Sequence, residues 1–271
     1  MESPLSVLIL CGNAPRHRYV ANQVIATGRV VGVVQEVGSR PTWGKAWRLL
    51  TSPAVLYGRL VRRFRERSLR LGEREARFFF EDQPARLNWQ GPHLAATHIN
   101  HPEVSAMVAR LQPDLIFVFG TSLIREPLLS AARVGMINLH GGLSPHYRGA
   151  DCIFWALSNG EPEQAGCTLH FIDAGIDTGR LVAHVMPAVT PEDDENTLFW
   201  RGVRDAAAVM AELPARLARG ERYGVTQTEK GSLYTVKART PEAQRRLELL
   251  LAQGLLRGVK LPARVRWYPV A

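Results

Sequence analysis

Short apolar runs and helical spacings alternate along most of this chain. Residues 7–11 and 30–34 are apolar runs of strand length. Between them, Tyr19, Val20, Val24 and Ile25 fall on one face of a helix predicted over 15–27. Pro15 suits its first turn and Gly28 its C-terminal stop. This opening predicts a β-α-β unit, the building block of a parallel sheet. The rhythm returns at 102, where Val104, Met107, Val108 and Leu111 share a helix face. A strand over 114–119 that is apolar from Leu115 onward, a short helix over 126–132 and a strand over 135–140 follow. Next come a helix over 152–158 and strands over 167–172 and 181–185. A long helix capped by Asp194 carries Leu198, Trp200, Val203, Ala207, Met210 and Leu213 on its apolar face. The prediction is an α/β fold: a Rossmann-like, mostly parallel sheet with helices on both faces, plus a small C-terminal extension.

Two segments depart from this pattern. Residues 37–100 interrupt it: Ser52-Pro53 reads as a cap and first turn, and Leu56, Leu60, Val61 and Phe64 line one helical face. Arg59, Arg62, Arg63, Arg65 and Arg67 cover the rest, which predicts a basic helical insertion between two strands. After Gly220, residues 223–236 read as a hairpin turning at Lys230-Gly231, and Thr240-Pro241 starts a helix through 251. The expected organisation is a catalytic domain over 1–215, containing the insertion, and a small α+β extension over 216–271.

Composition narrows the classes. The chain has 271 residues, 46% apolar and 22% charged, enough for a packed core. No apolar run approaches the ~18 residues of a membrane-spanning helix. The N-terminus has no basic leader and runs straight into a strand, so a cytoplasmic protein is expected. Cys11, Cys152 and Cys167 are too scattered for a disulfide framework and read as buried, reduced thiols. The net charge of +9 is segregated. Residues 40–80 hold 11 basic and 3 acidic side chains and residues 216–271 hold 12 and 4, whereas residues 81–215 hold 8 and 16. A basic surface would be built by the flanks, and the centre is no phosphate-coating module. His98 and His101 lack a third ligand of matching spacing, so no metal is expected. Trp43 and Trp47, at i,i+4, read as a buried helix face, and the basic helix as a solvated face or a contact in a homodimer.

Candidate chemistry gathers around one predicted rim. Asn138 and His140, two apart on a strand, point to the same side near its C-terminal end, where open parallel sheets place ligands. Turn-rich loops follow at 141–150 and 173–179, and the second carries Asp173 and Asp177. An amide donor, an imidazole and a carboxylate suit acyl transfer to an amine. Asn138 or protonated His140 can stabilise the oxyanion, and His140 oriented by Asp177 can move the proton. Arg16 and Arg18 sit with Asn13 at a helix N-terminus, a favourable place for an anion.

The motifs Asn138-Leu-His140, Leu143-Ser-Pro-His-Tyr-Arg-Gly-Ala150 and Gly175-Ile-Asp-Thr-Gly179 resemble the signature of the folate-dependent formyltransferases. That family spans the glycinamide ribonucleotide, methionyl-tRNA and amino-sugar N-formyltransferases. The resemblance implies Asn138, His140 and Asp177 as the catalytic trio and N10-formyltetrahydrofolate as the formyl donor. It also implies that Ser122, Leu123 and Ile124 hold the pterin on one side and Ile172, Asp173 and Ala174 on the other. Asn13, Arg16, Arg18, Tyr147 and Arg148 are the expected acceptor contacts. The expected acceptor is the primary amine of a small, anionic metabolite, foremost a nucleotide-linked amino sugar. Methionyl-tRNA is the alternative acceptor, and a non-catalytic basic binding protein on a formyltransferase core the alternative class. Gly142, Ser144 and His146 stand where tRNA-acting relatives usually read Ser, Leu and Arg.

Overall fold

The computed structural model describes residues 5–38 and 53–270. Eight strands form one sheet: β1 (Val7–Cys11), β2 (Val30–Glu36), β3 (His93–Ala96), β4 (Leu115–Phe119), β5 (Gly135–His140), β7 (Cys167–Phe171), β8 (Leu181–Met186) and β10 (Arg264–Trp267). Their order is β10-β8-β7-β5-β4-β1-β2-β3. β1 to β5 run parallel, whereas β7, β8 and β10 pair antiparallel along one flank. The chain leaves β1 toward β2 and β3, then returns on its other side to β4. A crevice therefore opens between the C-terminal ends of β1 and β4. The Gly12 N–H bonds the Phe119 carbonyl across it at 3.0 Å.

Strict alternation builds a core on each face. Val7, Ile9, Cys11, Leu115, Phe117 and Phe119 pack on one side with α1 (Pro15–Ile25) and α6 (Glu195–Ala218). Leu8, Leu10, Ile116, Val118 and Met136 pack on the other with α4 (Pro102–Leu111). Asn138 and His140 share their parity with Met136, so they project on the α4 side, beyond the reach of that helix. All three cysteines are buried and free, and burial raises their thiols, Cys11 to about 12.

The insertion is helical, with α2 (Pro53–Ser68) and α3 (Leu71–Phe80), but it also contains β3, an edge strand of the main sheet. On the apolar face of α2, Leu56 is partly buried, whereas Leu60 and Phe64 are exposed, Phe64 by 76%. Ser52, Trp43 and Trp47 lie outside the described residues. The helix predicted over 126–132 shrinks to a single turn at Leu128–Ser130.

The hairpin over 223–236 does not form. Instead β9 (Ser232–Tyr234) pairs in parallel with β6 (Tyr147–Gly149), while Val225 bridges Leu181 and Tyr223 bridges Pro269. Gly231 marks a close approach rather than a turn: a Cβ there would lie 2.0 Å from the Pro145 carbonyl oxygen. Residues 216–271 also supply β10 and α7 (Pro241–Ala252), which packs near α5 (Cys152–Ser158) through Leu247 and Ile153. Arg239 fastens this segment. Its guanidinium pairs with Glu195 at 2.6 Å and Asp151 at 3.3 Å and lies 4.0 Å from the centre of the Phe154 ring. Arg65 of α2 reaches the same Glu195 at 3.5 Å and Glu248 of α7 at 3.2 Å.

Arg239→Met strips a buried carboxylate of its principal partner. It should lower stability by about 3 kcal/mol in urea unfolding. A loss under about 1 kcal/mol would show that Arg65 alone compensates Glu195.

Candidate functional site

The site is assembled by three segments pinned to the antiparallel flank. The loop after β5 is held by Thr168 of β7, whose Oγ1 donates to the Gly142 carbonyl at 2.6 Å and accepts from the Ser144 N–H at 3.0 Å. His184 of β8 donates Nε2–H to the Ser144 carbonyl, and Tyr268 bonds its Nδ1, both at 2.8 Å. The loop must be glycine at 142: a Cβ would lie 2.5 Å from Cys152 Cβ and 2.7 Å from His140 Nε2. The second loop, between β7 and β8, is closed by the Phe171 N–H on the Arg180 carbonyl. A Cβ on Gly179 would stand 1.7 Å from the Phe171 oxygen.

Asn138, His140 and Asp177 meet as the sequence implied, by a route that it did not. β7 runs antiparallel to β5, so its C-terminal loop starts at the opposite edge and folds back over the face of the sheet. Asp177 reaches His140 Nδ1 with Oδ2 at 3.4 Å, and that oxygen also accepts the Gly149 N–H at 2.8 Å. Its Oδ1 lies 3.4 Å from Nε2 of His170, a residue the sequence reading missed. The register opposes His170 to Asn138, and the Asn138 amide sits 3.2 Å from His170 Nε2. The available signal was that Thr168 and His170 alternate on one face of β7; its use required knowing which strand β7 pairs with.

One carboxylate thus stands between two imidazoles. His140 is 6% exposed and Asp177 12%. Asp177 is mostly buried beside the half-buried Asn138, with both rings behind it. Burial alone would raise the Asp177 carboxyl. The His170 hydrogen bond, the charge available on both rings and the Gly149 N–H bring it down to about 2. Burial lowers His140 despite the opposing pull of Asp177, with His170 adding to the lowering. His140 Nε2 lies 3.0 Å from the Tyr147 carbonyl, and His170 Nδ1 2.8 Å from the Phe171 carbonyl. Each ring therefore gives one N–H to a backbone oxygen and turns its other nitrogen to Asp177.

On the same face, Ile124 and Ile172 border the second core and Leu123 is 60% exposed, leaving an apolar edge beside Asn138. The Ser122–Ile124 segment is rigidly placed. The Ser122 N–H donates to Glu36 at 2.6 Å, and Asn100 bonds the Leu123 carbonyl and Arg125 N–H, each at 2.8 Å. Asp173 is turned inward along its own loop, onto Gly175 and Thr178, and Ala174 is exposed. An apolar edge with fixed backbone groups fits a flat heterocycle such as a pterin.

Across the sheet edge lies a cavity of about 970 Å³, walled by Phe119, Gly120, Gly141, Gly149, Phe154 and Phe199 among others. The expected acceptor contacts are largely occupied within the fold. Arg16 is bidentate on Glu75 at 2.9 Å. Arg18 binds the Ala85 carbonyl and Asn13 Oδ1. Tyr147 donates to Glu161 and stacks on Tyr234, and Arg148 binds the Gly231 and Ile176 carbonyls. Of these, Arg16 lines the cavity. Among the described residues no cluster of three or more His, Cys, Asp or Glu could hold a metal. No described helix is long and apolar enough to cross a membrane.

Acid should destabilise this arrangement. His17 and His184 are buried as neutral rings and lowered by burial, to about 3 and about 4. Their folded values lie below the unfolded value, so the stability they contribute is complete above about pH 6.5 and drains away as pH falls. Each should cost about 2 kcal/mol by pH 5, and Asp177 adds a further loss below about pH 4. The urea midpoint should drop between pH 7.5 and 5; a constant midpoint would mean these rings are charged in the fold.

Comparison with known proteins bears on this site directly. A family model described as formyl transferase matches residues 50–213, which include Asn138, His140, His170 and Asp177. A methionyl-tRNA formyltransferase of Chlorobium chlorochromatii is 36% identical over 120 residues, covering 44% of this chain and 38% of that protein. The chain thus spans well under two thirds of that curated relative. A sugar N-formyltransferase structure from a Shewanella species aligns over 98% of this chain and 99% of its own, at TM-score 0.56 and 16% identity. A formyltransferase from Anoxybacillus kamchatkensis, solved with UDP-4,6-dideoxy-4-formamido-L-AltNAc and tetrahydrofolate, aligns over 93% and 95%, at TM-score 0.51 and 17% identity. At these identities the structural likeness speaks to the fold. The family match, laid over a carboxylate set between two imidazoles beside an asparagine, shows that the chain belongs to the formyl transferase family.

Proposed function

We propose that this protein transfers a formyl group from N10-formyltetrahydrofolate to a primary amine. The observation that carries this reading is the position of Asn138 and Asp177 at the sheet edge. An apolar edge suited to a pterin lies beside them, and a cavity of about 970 Å³ begins at Gly141, next to His140, and at Gly149, whose N–H Asp177 holds. Bound donor supplies an activated formyl carbon; the chain's residues must do the rest. The acceptor amine forms the new C–N bond, the bond to N10 breaks, and the proton lost by the amine ends on N10.

Asp177, ionised and with only its edge open, meets the acceptor ammonium and balances its charge. His140 and His170, on its two oxygens, share the departing proton without any ring having to leave its backbone partner. The Asn138 amide donates to the oxyanion that develops on the formyl oxygen. Its Nδ2 lies 3.2 Å from His170 Nε2, so one amide hydrogen serves that ring and the other is left for the reacting centre.

A nucleotide-linked amino sugar is the acceptor this reading favours. Support comes from two sugar-type structural neighbours, one of which holds a formamido sugar nucleotide beside tetrahydrofolate, and from a cavity at the upper end of small-molecule sites. Methionyl-tRNA is the second reading, favoured by the 36% identity over 120 residues.

Turnover with N10-formyltetrahydrofolate and three acceptors tests both: UDP-4,6-dideoxy-4-amino-L-AltNAc, glycinamide ribonucleotide and methionyl-tRNA. Formylation of the sugar nucleotide supports the first reading. Formylation of the tRNA, weakening steeply with salt, supports the second. Asp177→Asn should cut kcat by about 100-fold or more with the acceptor that reacts, while tetrahydrofolate binding stays within a few fold. Undiminished kcat would remove Asp177 from the chemistry.

A further inference from the structure

His17 is a buried polar residue that the chemistry above leaves unused. It stands at the third position of α1, at the C-terminal ends of β1 and β4, where the direction of the sheet order reverses. Its ring is 7% exposed, packs edge-on against Phe119 at 4.8 Å, and lines the cavity with Gly120 and Gly141. Two glycines make the space for it. A Cβ on Gly12 would lie 2.3 Å from Nδ1 and a Cβ on Gly120 2.2 Å from Nε2.

The tautomer is fixed. Nδ1 accepts the Ala14 N–H at 3.2 Å, so the ring proton is on Nε2. Burial, with Arg16 and Arg18 nearby, holds the ring neutral down to about pH 3. No residue among those described accepts from Nε2. A fixed, uncharged N–H donor, buried on the protein side and open to the cavity, is left without a partner. β1 and β5 are separated by β4, so this donor stands roughly 10 Å along the sheet from the strand of His140. That offset suits an atom several bonds away from a reacting amine.

The surroundings choose the partner's charge. Glu75 of α3 already takes the Arg16 backbone N–H at 3.0 Å and, bidentately, its guanidinium, so the N-terminus of α1 is filled by a carboxylate of the chain itself. Of the other cations in the wall, Arg65 and Arg239 share Glu195, and Arg245 pairs with Glu242 on its own helix at 3.6 Å. An anionic group beside His17 would face Glu75, and Arg18, the nearby guanidinium that binds only neutral oxygens, does not line the cavity. A neutral oxygen needs none.

We propose that His17 is a specificity-determining residue for the acceptor: its Nε2–H binds an uncharged oxygen, a hydroxyl or amide carbonyl, of the amine substrate. The proposal rests on the formyl-transfer reading and places any phosphate of that substrate away from the start of α1.

Titration calorimetry on the full chain with tetrahydrofolate bound, using UDP-4,6-dideoxy-4-amino-L-AltNAc as the probe, tests it. His17→Phe keeps a ring and removes the donor; it should bind the probe about tenfold more weakly with tetrahydrofolate affinity near wild type, while the lost acceptor for the Ala14 N–H lowers only the melting temperature. His17→Gln, which restores an N–H donor, should recover part of the loss. Equal probe affinity in wild type and His17→Phe overturns the proposal. So does a wild type that binds tetrahydrofolate but not the probe. If tetrahydrofolate itself does not bind, the donor reading falls and the proposal with it. Inorganic pyrophosphate gives a check that needs no acceptor. It should bind Glu75→Gln, in which Arg16 is released, at least tenfold more tightly than wild type. Equal binding to both would overturn the exclusion of anions from this position.

Discussion

The carboxylate of Asp177 holds the site together. One oxygen receives the Gly149 N–H and faces His140, and the other faces His170. Through these contacts the loop between β7 and β8 is joined to the loop after β5 and to β7 itself. A carboxylate this buried persists as an anion because the Gly149 N–H and the two rings, donors once they take a proton, surround it. The same donors fix where it stands. Charge stabilisation and geometry are here one requirement, which is why the residue can be both ionised and precisely held beside a half-open asparagine.

Arginines that look like a polyanion-binding surface in the sequence largely serve tertiary structure around the cavity. Arg16 joins α1 to α3 through Glu75, and Arg65 joins α2 to α6 and α7 through Glu195 and Glu248. Arg239 ties the C-terminal segment to Glu195 and Asp151. A guanidinium paired with a partly buried carboxylate has no charge to spare for a ligand phosphate. Acidic and basic side chains thus pair around the cavity, and between those pairs the wall presents aromatic surfaces and the neutral donor of His17.

The residues after 216 share that role. β10 extends the sheet beyond β8, β9 pairs with β6 inside the loop that follows β5, and the Gln227 amide bonds the Asp177 and Gly179 carbonyls at 3.1 and 2.6 Å. They buttress the very loops that carry the chemistry, so the segment works as part of the site's support.

The sequence by itself determined β1, β2, β4 and β5 of the parallel half of the sheet, because unbroken apolar strands and amphipathic helices each have a single period that can be read locally, whereas the short edge strand β3 has none. It also determined that Asn138 and His140 face one way, since alternation along a strand is local as well. Which face that was, and that Asp177 arrives from an antiparallel neighbour with His170 beside it, depended on the pairing of β5 with β7, a contact between positions about thirty residues apart. Gly231 looks like a turn residue and is a close approach; Arg16 looks like an anion contact and is an ion pair. In each case the residue's local preference is compatible with both roles. The choice was made by the partner that packing delivered, Pro145 in one case and Glu75 in the other.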